Sequence, residues 1–141
     1  MASDGEGATK FLEVEIIGAK TKNDARNVAK SVVNSSLVKT AFFGEDPNWG
    51  RIVMAIGYSK AKINPFDLSI SISSKEEKVD LVKDGNILAY EGTIYLEEAE
   101  NLMKNKEIKI IIDLKQGSNS STAYGCDLSY DYVKINGEYT T

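Results

Sequence analysis

The feature that most constrains the fold is a change in the spacing of apolar residues near the start of the chain. In "KFLEVEIIGA", the apolar residues Leu12, Val14 and Ile16 alternate with charged residues, which is the pattern of a strand with one buried face. In the next stretch, "TKNDARNVAKSVVNSS", the apolar residues follow the helical period, which is typical of an amphipathic helix. Because both elements have an apolar face to bury, we expect a helix packed on a sheet.

Later segments repeat both patterns. "FDLSISIS" alternates as a strand does, and the unbroken apolar run in "EIKIIIDL" indicates a central, buried strand. "KVDLVKDGN" predicts a strand followed by a turn at Asp84-Gly85. "LEEAENLMKN" predicts a short acidic helix. "LVKTAFF" and the residues near Ala123 predict short strands, and "ILAYEGTIYL" predicts a strand more weakly.

Two helix starts carry capping signals. We expect Asn23 or Asp24 to cap the first helix, and Asp46 to cap a second helix with Pro47 at its first helical position. The apolar face of the second helix would consist of Ile52, Val53, Ile56 and Tyr58. The sequence therefore predicts an α+β fold, a two-layer arrangement of one mixed sheet with about three helices packed on it.

The length and composition favour one ordinary domain. A chain of 141 residues is long enough for a single core. We assign residues 1–3 to an added leader and residues 4–141 to the domain. The net charge of −4 argues against binding to nucleic acid or to an anionic membrane. No apolar run is long enough for a membrane helix.

Two residue counts limit the chemistry. Cys126 is the single cysteine, so no internal disulfide is expected and a cytoplasmic location is favoured. We expect its thiol to be buried and inert. The chain contains no histidine, which excludes Ser-His-Asp and Cys-His catalysis within it. No calcium-type spacing of oxygen ligands is present, so Asp127 and Asp131 are expected to be structural and no metal site is predicted.

The opening segment "DGEGATK" allows several interpretations. A phosphate-binding loop is rejected, because Lys10 leads into a strand and Glu6 would repel phosphate. Cleavage at Ala8–Thr9 would free a threonine whose own amine could act as a base. Alternatively, the flanking glycines could hold the Glu6 carboxylate towards a cationic substrate. A solvated acidic turn is the plainest interpretation, and the residues alone leave these three open.

The segment "GEDPNWGR" is unusually dense in polar and aromatic residues. It could line a site. It could equally be a capped helix start in which Trp49 packs into the core and Arg51 pairs with Asp46 or Glu45. The residues alone do not decide between these two interpretations.

Three segments in this order resemble the ornithine acetyltransferase (glutamate N-acetyltransferase) family of arginine biosynthesis: "DGEGATK", "VKTAFFGEDPNWGRI" and "AYGCDLSYDYVKINGEYTT". The resemblance spans residues 4–141. It implies transfer of acetyl from N2-acetylornithine to glutamate, with acetyl-CoA a possible co-substrate and no cofactor. It also implies autocatalytic cleavage that frees a nucleophilic N-terminal threonine, and a hetero-oligomer of the cleaved chains.

The resemblance also implies what this chain lacks. The family cleaves at an Ala-Thr-Met-Leu type segment, whereas Thr9 is followed by Lys10 and Phe11, so Thr9 is not the nucleophile. The chain resembles the C-terminal portion of the second chain, without the nucleophile, the oxyanion hole and the substrate-binding lysine. We therefore expect no catalytic residue here and no turnover by this chain alone.

The resemblance carries over three substrate-binding residues. Glu6 matches the glutamate that contacts the amino end of the substrate, Asn136 matches an asparagine of the ornithine pocket, and Thr141 matches the final hydroxyl residue. Thr140 is their neighbour. The implied partners are ornithine or N2-acetylornithine, glutamate and the missing N-terminal part of the enzyme. Two alternatives are a non-catalytic interaction module and part of a related self-cleaving aminopeptidase or amidase.

Overall fold

The computed structural model describes residues 10–126. It consists of one six-stranded mixed sheet and four helices. The strands are β1 (Phe11–Ala19), β2 (Ser69–Ser74), β3 (Glu77–Lys83), β4 (Asn86–Ile87), β5 (Glu107–Asp113) and β6 (Asn119–Cys126). The helices are α1 (Lys22–Val33), α2 (Ser36–Phe43), α3 (Trp49–Gly57) and α4 (Ile94–Leu102). The predicted α+β class with one mixed sheet is confirmed, and the described part of the chain has four helices where about three were expected.

The strand order is β4-β3-β2-β5-β1-β6. β1 and β5 are parallel, and the other neighbours are antiparallel. The apolar run of "EIKIIIDL" forms β5, which lies between β1 and β2 as its sequence predicted. The strands expected in "FDLSISIS", in "KVDLVKDGN" and near Ala123 are also present, as β2, β3 and β6.

One face of the sheet forms the core. Leu12, Val14 and Ile16 of β1 are buried, and the register places them beside Ile108, Ile110 and Ile112 of β5. Helix α1 packs on β1 and β6, and α4 packs on β3 and β2. Helices α2 and α3 pack on α1 and on each other. The opposite face of β1 carries Glu13 and Glu15, as the alternation predicted.

The segment "LVKTAFF" was expected to be a strand and is instead most of α2. The Oγ atom of Ser35 accepts a hydrogen bond from the Val38 amide at 3.2 Å and caps the helix. The buried side chains are Val38, Ala41 and Phe42, which is helical spacing. The β-branched and aromatic content suggested a strand, but burial against α1 and α3 outweighs that propensity.

Two predicted helix starts were wrong. Thr21, not Asn23 or Asp24, caps α1, since its Oγ1 accepts from the Asp24 amide at 3.0 Å. Asn48, not Asp46, caps α3, and Pro47 therefore lies outside the helix. In both cases the capping residue lies two positions from a predicted one, which is within the usual uncertainty of helix ends.

Two further expectations need correction. Only Asn86–Ile87 of the region around "ILAYEGTIYL" is a strand, and Thr93 caps α4 within it, so the acidic helix begins earlier than expected. On α3, Ile52 and Ile56 are buried, whereas Tyr58 is 75% exposed and follows the helix as its C-cap. Among residues 10–126, no helix is long and apolar enough to cross a membrane.

The turn between β3 and β4 depends on a glycine. Asp84 and Gly85 have φ of 50° and 79°, which is the left-handed pair of a tight hairpin turn. A Cβ on Gly85 would lie 2.5 Å from the Phe66 carbonyl oxygen. We predict that Gly85→Ala lowers the free energy of unfolding by about 2 kcal/mol or more, measured by urea denaturation.

Gly57 provides the matched control. It is a helical glycine, and a Cβ added to it would have no neighbouring atom within 4 Å. Gly57→Ala should therefore raise the free energy of unfolding by about 0.5 to 1 kcal/mol. Equal effects of the two substitutions would contradict the geometry of the β3–β4 turn.

Candidate functional site

All the site residues expected from the sequence lie outside the described residues. Glu6, Asn136, Thr140 and Thr141 belong to residues 1–9 and 127–141, as do Thr9, Asp127 and Asp131. The described structure therefore shows where residues 1–9 join the start of β1 and where residues 127–141 join the end of β6.

Both segments attach at the same end of the sheet. Phe11, the first residue of β1, pairs with Cys126, the last residue of β6. Directly opposed residues in an antiparallel pair lie about 5 Å apart. Glu6 precedes the described chain by four residues, and Asn136 follows it by ten. The topology is therefore compatible with one site built from both segments. This end of the sheet is the candidate functional site.

Lys10 connects three parts of the chain at this end. Its side chain is buried, at 7% exposure for the whole residue. Its Nζ donates to the carbonyl oxygens of Met103 at 2.5 Å and Asn105 at 2.7 Å, which belong to the α4–β5 connection. The Nζ also lies 3.7 Å from Oε2 of Glu45, in the α2–α3 connection.

Carbonyl groups at the C-terminal end of α4 contribute to the electrostatic environment of Lys10. Met103 is the C-cap of α4, where carbonyl groups lack helical partners and carry partial negative charge. A buried ammonium group needs such acceptors, because burial without them costs several kcal/mol. The Phe11 amide adds a hydrogen bond to the Lys106 carbonyl at 2.8 Å. The start of β1 is thus fixed immediately after the segment that contains Glu6.

The "GEDPNWGR" segment forms a capped helix start. Asn48 Oδ1 accepts from the Arg51 amide at 3.0 Å, and Asn48 Nδ2 donates to Asp46 Oδ2 at 3.2 Å. Trp49 is partly buried against the core and donates its Nε1–H to the Ala89 carbonyl at 3.0 Å. These contacts match the packing interpretation.

One part of that interpretation was wrong. Arg51 makes no ion pair with Asp46 or Glu45 and donates its Nη1–H to the Leu37 carbonyl at 3.0 Å. Glu45 is directed to Lys10 instead. The segment thus contacts the candidate site through the ion pair of Glu45 with Lys10. The sequence spacing did not predict this contact.

A depression of about 510 Å³ lies beside the candidate site on the open face of the sheet. Its lining includes Phe11, Tyr124 and Lys109. The Nζ of Lys109 lies 3.2 Å from Glu15 Oε1 and 3.7 Å from Glu13 Oε2. The hydrogen bond to Glu15 raises the pKa of Lys109. Polar and aromatic groups thus line the open face next to the attachment points.

An exposed ion pair elsewhere in the described part of the chain shifts two further pKa values. Lys115 donates a hydrogen bond to Asp84 in the β3–β4 turn. This contact lowers the pKa of Asp84 and raises the pKa of Lys115. Within residues 10–126, no group of three or more His, Cys, Asp or Glu side chains is arranged to hold a metal ion. Cys126 is buried, as expected.

The family model described as "ArgJ family" matches residues 1–141. The chain belongs to the ArgJ family. The resemblance seen in the three sequence segments is thus confirmed over the whole chain.

Curated relatives are highly similar. The glutamate N-acetyltransferases of Methanothermobacter thermautotrophicus and Methanocaldococcus jannaschii are 57% and 58% identical over 141 residues. The arginine biosynthesis bifunctional protein ArgJ of Caldanaerobacter subterraneus is 52% identical. These alignments cover 100% of this chain and 34–35% of the relatives, so the chain spans about a third of their length.

A solved structure agrees with the fold. The crystal structure of arginine biosynthesis bifunctional protein ArgJ from Bacillus halodurans is 43% identical, with a TM-score of 0.77. The match covers 96% of this chain and 60% of that chain. The ArgJ family fold is therefore shared, and the family protein is longer than the portion described above.

Proposed function

We propose that this chain is the substrate-binding C-terminal part of a glutamate N-acetyltransferase, which moves acetyl from N2-acetylornithine to glutamate in arginine biosynthesis. The observation that carries the proposal is the 57% identity to a glutamate N-acetyltransferase along the entire chain. The nucleophilic N-terminal threonine, freed by autocatalytic cleavage, lies outside this chain. The complete enzyme would be a cytoplasmic hetero-oligomer of its cleaved chains, with no cofactor and with acetyl-CoA as a possible co-substrate.

Glu6 would bind the side-chain ammonium group of N2-acetylornithine, because acetylation of N2 leaves that group as the cationic end. Asn136 and Thr141 would complete the pocket from the other segment. The pairing of Phe11 with Cys126 supports this arrangement. Residues 1–9 precede β1 and residues 127–141 follow β6, and this pairing makes the start of β1 and the end of β6 neighbours. A buried carboxylate paired with an ammonium group selects strongly, because substrates that lack the ammonium leave the carboxylate unpaired.

The fixed start of β1 supports the same arrangement. A binding group is effective when its backbone is held within a fraction of an ångström of the productive position. Lys10 lies four residues after Glu6 and is held by two carbonyl groups and by Glu45. The role of Lys10 in this proposal is to fix the end of that segment.

The test is acetyl transfer from N2-acetylornithine to glutamate. We predict no product above the buffer rate with this chain alone, because it lacks the nucleophile. Activity should appear in a completed protein, in which this chain replaces the matching 35% of the Methanothermobacter thermautotrophicus relative. Turnover by the isolated chain, or an inactive completed protein that is folded, would overturn the proposal. Hydrolysis of simple peptides in place of acetyl transfer would favour the aminopeptidase or amidase alternative.

A further inference from the structure

Strand β6 forms one edge of the sheet, and the hydrogen bonds of its neighbour β1 show how its backbone is oriented. The Phe11 amide and the Ile17 carbonyl of β1 both bond to residues at the ends of β5. In a strand, the N–H and C=O groups of one residue point to the same side, and successive residues alternate between the two sides. The odd-numbered residues of β1 therefore bond towards β5, and the even-numbered residues bond towards β6.

The register between β1 and β6 then shows which groups of β6 point away from the sheet. Ala123 pairs with Val14, an even-numbered residue, so these two exchange hydrogen bonds. Thr122 and Tyr124 pair with odd-numbered residues of β1, so their N–H and C=O groups point outwards from the edge. Within the part of the chain that the structure describes, no hydrogen bond reaches these outward groups.

β6 has few of the features with which natural proteins protect a sheet edge. Its sequence, "NSSTAYGC", is eight residues long and contains no charged residue and no proline. Long uncharged edges favour pairing with a further strand. Lys22 covers one end, because its Nζ donates to the Ser120 carbonyl at 2.6 Å. The open part runs from Thr122 to Tyr124, and these residues define the β6 edge.

We propose that the β6 edge pairs with the β6 edge of a second copy of this chain, antiparallel about a two-fold axis at Ala123. Thr122 then lies opposite Tyr124 of the second copy, and each such pair exchanges both of its N–H···O=C hydrogen bonds. If Thr122 instead lay opposite itself, Tyr124 would face Ser120, whose carbonyl already accepts from Lys22.

The side chains at the β6 edge suit this pairing. Two uncharged strands place no like charges opposite each other. Tyr124 is 59% exposed in one copy, and an aromatic residue opposite a β-branched one is a favourable cross-strand pair. The edge is thus complementary to itself in both its backbone groups and its side chains.

Helix α1 is compatible with a second copy on the covered face of the sheet. It packs on both β1 and β6, so its axis lies over this pair of strands. Neighbouring strands lie about 4.8 Å apart, so pairing at the edge would bring the two α1 axes to about 10 Å apart. This is the usual distance between packed helices. The pairing uses none of the proposed substrate-binding residues, so it holds or fails independently of the proposed function.

Disulfide cross-linking tests the register. Ala123→Cys places two thiols opposite each other with their Cα atoms about 4.5 Å apart, which is within the range of a disulfide. Ser121→Cys is the matched control, because Ser121 is also half-buried on the same strand face, but its two copies would lie roughly 13 Å apart. Under mild oxidation, we expect Ala123→Cys to form the covalent dimer at least about tenfold faster than Ser121→Cys. High salt screens the two Lys22 charges, and the unmodified chain gives the background from the buried Cys126.

Sedimentation velocity provides a second measurement that needs no added thiol. The dimer fraction of the unmodified chain should rise with concentration. Thr122→Pro removes one outward N–H group and keeps the ladder to β1, because proline is tolerated where the N–H of an edge strand faces solvent. This variant should show a smaller dimer fraction at every concentration, with the far-UV circular dichroism of the folded chain.

Four outcomes would overturn the inference. Equal rates at positions 121 and 123 would indicate random collision. A monomer at every concentration, without cross-links, would mean that residues 127–141 cover the edge or that it stays unpaired. A dimer insensitive to Thr122→Pro would place the interface on another surface. An active completed protein in which Ala123→Cys forms no cross-link would assign the edge to the rest of the family protein.

Discussion

Replacing Lys10 with methionine is expected to lower the free energy of unfolding of this chain by about 2 to 4 kcal/mol. Methionine keeps the apolar stem but removes the ammonium group that hydrogen-bonds the Met103 and Asn105 carbonyls. These carbonyls would then lose a charged donor in a buried environment. Urea denaturation of the full chain, followed by far-UV circular dichroism, measures the change.

Glu45→Gln is the matched control for this substitution. The Glu45 carboxylate lies 3.7 Å from Lys10 Nζ and its side chain is 48% exposed, so solvent screens the pair. We expect this substitution to cost less than about 1 kcal/mol. If Glu45→Gln proved as damaging as Lys10→Met, the ion pair and not the two carbonyl contacts would hold the start of β1.

In the completed protein, Glu6→Gln is expected to lower kcat/KM for N2-acetylornithine by about 30-fold to 1000-fold. The amide keeps the size of the side chain but cannot balance the charge of the substrate ammonium group. If substrate binding takes the proposed charge pair out of water, loss of one member leaves the other uncompensated, which is the source of the large expected effect. Initial rates over a range of N2-acetylornithine concentrations measure it.

Asp67→Asn removes one negative charge from the exposed turn before β2, at the opposite end of the sheet, and should leave kcat/KM unchanged. This comparison separates a contact with substrate from a general effect of lost negative charge. A Glu6→Gln protein with wild-type kcat/KM would remove Glu6 from the proposed pocket.

The strands were the most predictable part of the fold. Alternation in β1 and the apolar run in β5 report burial directly, because a strand places successive side chains on opposite faces. The residues of α2 were misassigned because local propensity and tertiary packing disagree there. The spacing of Val38, Ala41 and Phe42, with Ser35 before them, was the signal that could have identified the helix.

The candidate site was less predictable from local pattern. Lys10 contacts Met103 and Asn105, which lie 93 and 95 positions further along the chain. No local periodicity encodes contacts between residues so far apart in sequence. The "GEDPNWGR" segment correctly predicted a capped helix start and the packing of Trp49, although the capping residue is Asn48 and not Asp46. It gave the wrong partner for Arg51, because the Leu37 carbonyl comes close only after α2 and α3 have packed.

The measurement that tests the central claim most directly is the melting temperature of the completed protein with and without ornithine. A ligand that binds the folded state alone raises the melting temperature by an amount that grows with the ratio of its free concentration to its Kd. We predict that ornithine raises it, that a simple dipeptide does not, and that Glu6→Gln weakens the effect of ornithine. Stabilisation by the dipeptide and none by ornithine would contradict a substrate-binding role in acetyl transfer.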